Sequence, residues 1–110
     1  MEREPRGLRF TFNADAVISP QNSPDTHAPA RVTELSLRGC FLQTAASFAE
    51  QQVVLVKIFY LDEFFETEAA VLYVQPRGLG LEFRETKPHF RAVLQKWILA
   101  VLHSQPDAPQ

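Results

Sequence analysis

Apolar and polar residues alternate over much of this chain, and the period changes only near its end. From Leu8 to Ile18 the alternation puts Leu8, Phe10, Phe12, Ala14 and Ala16 on one face and Arg9, Thr11, Asn13 and Asp15 on the other. That period of two predicts a half-buried strand. Residues 19–29 gather three prolines among turn formers and read as a surface loop. Residues 30–37 and 40–44 flank Gly39 as two strands, and residues 45–51 form a connector with room for a short helical turn. A strand over 52–60 follows, where the unbroken Val53-Val54-Leu55-Val56 predicts burial on both faces. Leu61-Asp62-Glu63 is a short polar break before a strand over 64–75, which together read as a hairpin with one core phenylalanine and one exposed phenylalanine at Phe64-Phe65. Pro76-Arg77-Gly78 ends that strand and residues 79–83 make the sixth, with Leu79, Leu81 and Phe83 on one face.

From Thr86 the period becomes helical. Phe90, Val93, Leu94, Trp97, Ile98, Val101 and Leu102 recur at spacings of three and four, with Thr86 as the cap and Pro88 tolerated in the first turn. Six strands and one terminal helix predict an all-β (β+α) fold, a six-stranded antiparallel barrel with one C-terminal α-helix covering its open end or flank, anchored by Phe90 and Trp97. The expected organisation is a single domain over 1–110: an arginine-rich arm at 1–8, a barrel at 9–85, a helix at 86–103 and a tail at 104–110.

Composition narrows the function. The chain has 110 residues and a formal net charge of -2, which argues against a general nucleic-acid binder, DNA included, since that needs a broad basic surface. Cys40 is the lone cysteine, so no internal disulfide can form; it reads as a small buried hydrophobe in a reducing compartment, and no histidine or cysteine cluster has metal-ligand spacing. The first residues lack the apolar core of a signal peptide, and no apolar run approaches the roughly 18 residues a spanning helix requires. A cytoplasmic protein with no membrane insertion is expected. No enzyme constellation emerges: His27, His89 and His103 are scattered, and Glu66 and Glu68 share a strand face that reads as a solvated edge discouraging edge-to-edge pairing.

The densest chemistry lies at Glu34-Leu35-Ser36-Leu37-Arg38-Gly39-Cys40-Phe41-Leu42. In an extended chain Glu34 and Ser36 share a wet face while Leu35 and Leu37 pack, and Gly39 permits a turn or a close approach. Three arginines, Arg3, Arg6 and Arg9, form an arm that runs into the first strand. The motif resembles the D/N-x-S-x-x-G signature of PilZ domains, bacterial receptor modules for cyclic di-GMP, with Ser36 and Gly39 in register and Glu34 where the family has Asp or Asn. The arm is similar to the family's R-x-x-x-R segment but spaced by three, with Pro5 four residues before Arg9. Gly78-Leu79-Gly80-Leu81-Glu82-Phe83 resembles the family's last barrel strand, so the likeness runs from about Arg3 to Leu102.

That resemblance implies a non-enzymatic signalling module with no cofactor other than its ligand. Arg6 and Arg3 would clamp cyclic di-GMP, with Arg9 continuing the basic arm, Glu34 and Ser36 contacting a guanine and Gly39 leaving room for it. Arg38 is either a substitute phosphate ligand or a turn residue. Occupancy would order the arm and pass to an effector protein in motility, pilus, secretion or exopolysaccharide control. The competing reading is a degenerate member that binds no nucleotide and acts as a protein adaptor, homodimer or larger homo-oligomer.

Overall fold

The computed structural model describes residues 9–104. The elements in chain order are β1 (Phe10–Pro20), β2 (Ala28–Leu35), β3 (Gly39–Gln43), β4 (Val53–Tyr60), β5 (Glu63–Gln75), β6 (Gly78–Arg84) and α1 (Pro88–Ser104). The strands pair antiparallel throughout and close a barrel in the order β1-β2-β3-β6-β5-β4. The expected six-stranded antiparallel barrel with a C-terminal helix is therefore the fold.

Alternation explains the closure. A row of paired residues, Leu35, Cys40, Leu81 and Val71, crosses β2, β3, β6 and β5 inside the barrel, all buried. On β1, Phe12, Ala14, Ala16 and Ile18 point inward, as the period of two requires. Cys40 sits within this core, and burial pushes its thiol up to about 12 despite the opposing field of Arg9, so it is an inert apolar filler.

Several expectations need correction. Burial of β4 on both faces does not occur: Val54, Val56 and Ile58 are interior, whereas Val53 and Leu55 are half-buried and Phe59 is exposed. A closed ring has only one inside, so an unbroken apolar run still buries a single face. The loop expected over 19–29 is shorter, because Ser19 and Pro20 pair with Leu55 and Val54, and Ala28 and Pro29 pair with Ile18 and Val17. Residues 45–51 hold bends and a turn, with no helix. Glu68 lies on no edge, since it pairs with Leu55 of β4 and Arg84 of β6 and its carboxylate accepts from Gln21 Nε2 at 2.8 Å, whereas Glu66 pairs with Lys57 of β4 alone.

At the helix start, the carbonyl of Lys87 accepts from Arg91 N at 2.9 Å, with Pro88 as the first helical residue. Thr86 is not the cap: its hydroxyl lies 3.0 Å from that of buried Thr67, which also donates to the Arg84 carbonyl at 3.0 Å. The buried stripe runs through Val93, Leu94, Trp97 and Ile98, with Phe90 and Val101 partly covered, while Leu102 faces water. Trp97 plugs the barrel end, its ring 5.7 Å from Phe12, 5.5 Å from Tyr60 and 6.4 Å from Phe65. Phe65 is fully buried and Phe64 is 40% exposed, the predicted division.

Glu63 latches the helix to this end. One of its oxygens accepts from Lys96 Nζ at 2.6 Å and the other from Trp97 Nε1 at 3.3 Å. The Lys96 hydrogen bond, reinforced by the indole N–H, holds the carboxyl below its ordinary value against the opposing effect of desolvation. The hairpin tip beside it is strained. Leu61, at the first position of the two-residue β4–β5 turn, has φ 56° and is 85% exposed, a left-handed conformation in which a glycine or asparagine would be unstrained.

Candidate functional site

The motif region folds into a turn that spends most of its polar atoms on itself. Strand β2 ends at Leu35, so the expected alternation stops there: Leu37 is exposed and Ser36 is buried, with 8% of its surface accessible. Ser36 Oγ accepts from the N–H groups of Arg38 and Gly39, each at 3.1 Å, and its hydroxyl donates to the Gly39 carbonyl at 3.3 Å. Ser36 thus shares no wet face with Glu34; its side chain shapes the turn. The carbonyl of Arg38 accepts from Phe83 N at 2.7 Å, tying the turn to β6.

The absent side chain of Gly39 is also used internally. A Cβ there would collide with the carbonyl oxygen of Leu81 on β6, and no left-handed φ is involved. The glycine therefore serves the close approach of two strands, and the space its missing side chain leaves is already occupied by protein.

What faces outward is a row the sequence did not reveal. Register pairs Thr11 with Glu34, Glu34 with Phe41, Phe41 with Gly80, and Gly80 with Tyr73, crossing five strands on the outer surface. The Tyr73 ring lies on Gly80, where any Cβ would strike it, and stacks beside Phe41 with centroids 6.3 Å apart. Arg9 reaches over the row from the start of β1. Its Nη1 donates to Glu34 Oε1 at 2.8 Å and its Nη2 approaches the Tyr73 hydroxyl at 3.5 Å. Both members of the pair are about half exposed, so the ion pair contributes on the order of 0 to 1 kcal/mol and remains available to a competitor.

Of the expected site residues, Arg9 and Glu34 are brought together; Ser36 and Gly39 lie beside them but are engaged in the turn, and Arg38 is exposed at its tip. Arg3 and Arg6 lie outside the described residues. Phe41, Tyr73 and Gly80 were missed. A glycine inside a strand is the one signal that hints at them, since it marks a place where something large approaches the backbone. Chemically, the row offers a guanidinium for phosphate, a carboxylate for N–H donors and two rings for stacking.

The architecture is thus a six-stranded closed antiparallel barrel with a motif turn between β2 and β3 and a C-terminal helix. The PilZ domain family model matches residues 2–100, and the chain belongs to that family, whose members are non-enzymatic signalling and receptor modules. No curated protein matches it in sequence. Among solved structures it is similar to the "PilZ domain with c-di-GMP of YcgR from Escherichia coli", at 14% identity and TM-score 0.76, covering 92% of this chain and 93% of that one. It is also similar to the Bacillus subtilis inhibitor of motility MotI/DgrA, at 18% identity and TM-score 0.77, covering 97% of this chain and 55% of that one. A third likeness is the PilZ domain of CeSA from a cellulose-synthesizing bacterium, at 9% identity and TM-score 0.71, covering 88% of this chain and all of that one. No helix among the described residues is long and apolar enough to cross a membrane.

Proposed function

We propose that this chain is a cytoplasmic PilZ module that takes cyclic di-GMP on the outer row formed by Arg9, Glu34, Phe41 and Tyr73, with Arg3 and Arg6 completing the clamp. The observation that carries the reading is the Arg9–Glu34 pair beside the stacked rings of Phe41 and Tyr73, each group about half open to water. A phosphate competes with Glu34 for the Arg9 fork; the released carboxylate then accepts from a guanine N–H edge, and the purine stacks on Tyr73 or Phe41. The YcgR domain that the fold resembles holds this nucleotide, which supports the ligand class.

Occupancy would draw the arm against the barrel and present a new surface to an effector protein in motility, pilus or exopolysaccharide control; the motility role named for MotI supports that direction. Calorimetric titration with cyclic di-GMP at modest salt tests it. Arg9→Ala should weaken binding about tenfold or more, the loss of a charge-assisted contact of about 1.5 to 3 kcal/mol. Equal affinities for the parent and Arg9→Ala would remove the row from the site.

One observation favours the second reading, an adaptor without nucleotide. The hairpin tip displays Phe59, strained Leu61 and Phe64 to water, an apolar knob suited to a protein contact. Absence of binding heat for the parent protein, together with retained self-association or effector binding, would establish it.

A further inference from the structure

Leu61 is doubly disfavoured where it stands. At 85% exposure it is the most open large apolar side chain among the described residues, and its left-handed φ of 56° opens a two-residue turn in which glycine would be unstrained. Asp62 beside it is also exposed and forms no ion pair among the described residues. Two cations flank the turn: Lys96, bonded to Glu63 at 2.6 Å, and Lys57, whose Nζ lies 4.4 Å from the centre of the Phe64 ring. The tip is an apolar point set among charges of both signs.

A cleft of matching character lies beyond α1. The β2–β3 turn, the end of β6 and the first turns of α1 enclose about 430 Å³, the room of roughly fourteen waters at about 30 Å³ each. Arg38, Arg91, Glu82 and Glu85 line it, and none of the four forms an ion pair among the described residues. Arg38 hydrogen-bonds only through its backbone, and the side chain of Arg91 makes a single long contact, 3.4 Å, to the Thr86 carbonyl. Leu37, 55% exposed, is the open apolar surface of the rim, because the Phe83 ring is packed on buried Phe65 at 5.0 Å. Tip and cleft do not meet within one molecule: Lys96 holds the tip through Glu63, Arg91 faces the cleft, and five residues separate the two by about 140° around the helix.

We infer that the hairpin tip of one copy of this chain seats in the cleft of a second copy. Leu61 enters beside Leu37, Asp62 meets the guanidinium forks of Arg38 and Arg91, and Lys57 and Lys96 face Glu82 and Glu85. A simple anion in the cleft leaves Leu37 and both carboxylates unmatched; a second copy supplies a partner for each. The contact joins two unlike surfaces head to tail. One turn in one cleft buries less than the roughly 1,200 Å² of a stable interface, so the association is weak and driven by concentration. The inference deepens the adaptor reading, on whose exposed tip it rests, and the two fail separately, since self-association is read without nucleotide or effector.

The test is sedimentation velocity of the full chain over a rising concentration series. Reversible self-association is expected in the parent, weakened at least about tenfold in Leu61→Asn and in Arg91→Glu. Both positions are exposed, and circular dichroism of each variant reports whether the fold is kept. Because the contact joins unlike surfaces, an equimolar mixture of the two variants should regain association as a one-to-one pair, the intact tip of Arg91→Glu entering the intact cleft of Leu61→Asn. A parent that stays monomeric at every concentration overturns the inference. Undiminished association in Leu61→Asn overturns it as well, since something other than the tip then makes the contact, and so does a mixture that associates no better than its parts.

Discussion

The helix-capped end of the barrel and its outer row are built from the same parts and do opposite things. Each joins aromatic rings to a glutamate held by a cation: Trp97, Phe12 and Tyr60 with Glu63–Lys96 at the end, Phe41 and Tyr73 with Glu34–Arg9 on the row. At the end, Trp97 is buried to 2% exposure and Glu63 also receives the indole N–H, so the charged pair orients a packed ring. On the row both rings are half open, and the Arg9–Glu34 pair beside them is itself about half exposed. Residue type does not decide the role here; access to water does, because desolvation converts ring area into stability and leaves open ring area for a ligand.

Trp97→Ala should break the comparison from the stable side, costing about 3 to 5 kcal/mol and loosening the helix; chemical denaturation with near-ultraviolet circular dichroism measures it, and a loss below about 1 kcal/mol would mean that the plug does not hold the fold. Gly39→Ala, which drives a Cβ into the Leu81 carbonyl, should cost about 1 to 3 kcal/mol without touching the row. An unchanged denaturation midpoint would show that β3 and β6 can separate freely.

Acid sharpens the contrast. The folded value of Glu63 is lowered, so its contribution is complete above the ordinary glutamate range, about 4.3, and is lost as pH falls through that range and the lower folded value. Helix fluorescence from Trp97 should therefore change on acidification in the parent and change less in Glu63→Gln. Leu61→Asn should raise stability by about 0.5 kcal/mol by relieving left-handed strain, read as a small rise in Tm, and a fall would mean that the leucine is packed in solution. Arg9→Ala should shift stability least, by under about 0.5 kcal/mol, while still abolishing most cyclic di-GMP affinity; a large stability loss would make Arg9 structural.

The elements were legible because alternation and helical period are local properties. Phe12 to Ile18, the Phe64-Phe65 split and the Trp97 stripe all followed from spacing alone. Pairing is not local. Nothing in the neighbourhood of Tyr73 says that it will lie on Gly80, or that Phe41 and Glu34 will share its row, because register is set by the whole ring. The same limit misled the reading of Ser36, where alternation was extended through a residue whose hydroxyl ends the strand by bonding the turn. Within the motif, the serine shapes the turn and the glycine lets β3 approach β6.

The ring closure itself restricts how any signal can leave this molecule. Strand β1 is paired with β2 between Phe10 and Ile18 and with β4 between Asp15 and Pro20. Sliding it by one residue would turn its core side chains outward and drag both neighbours with it. The barrel is thus a fixed anvil: on the proposed reading, a ligand held at Arg9 is not transmitted through it as a deformation. It can only be read from outside, in what the visitor covers and what it leaves showing.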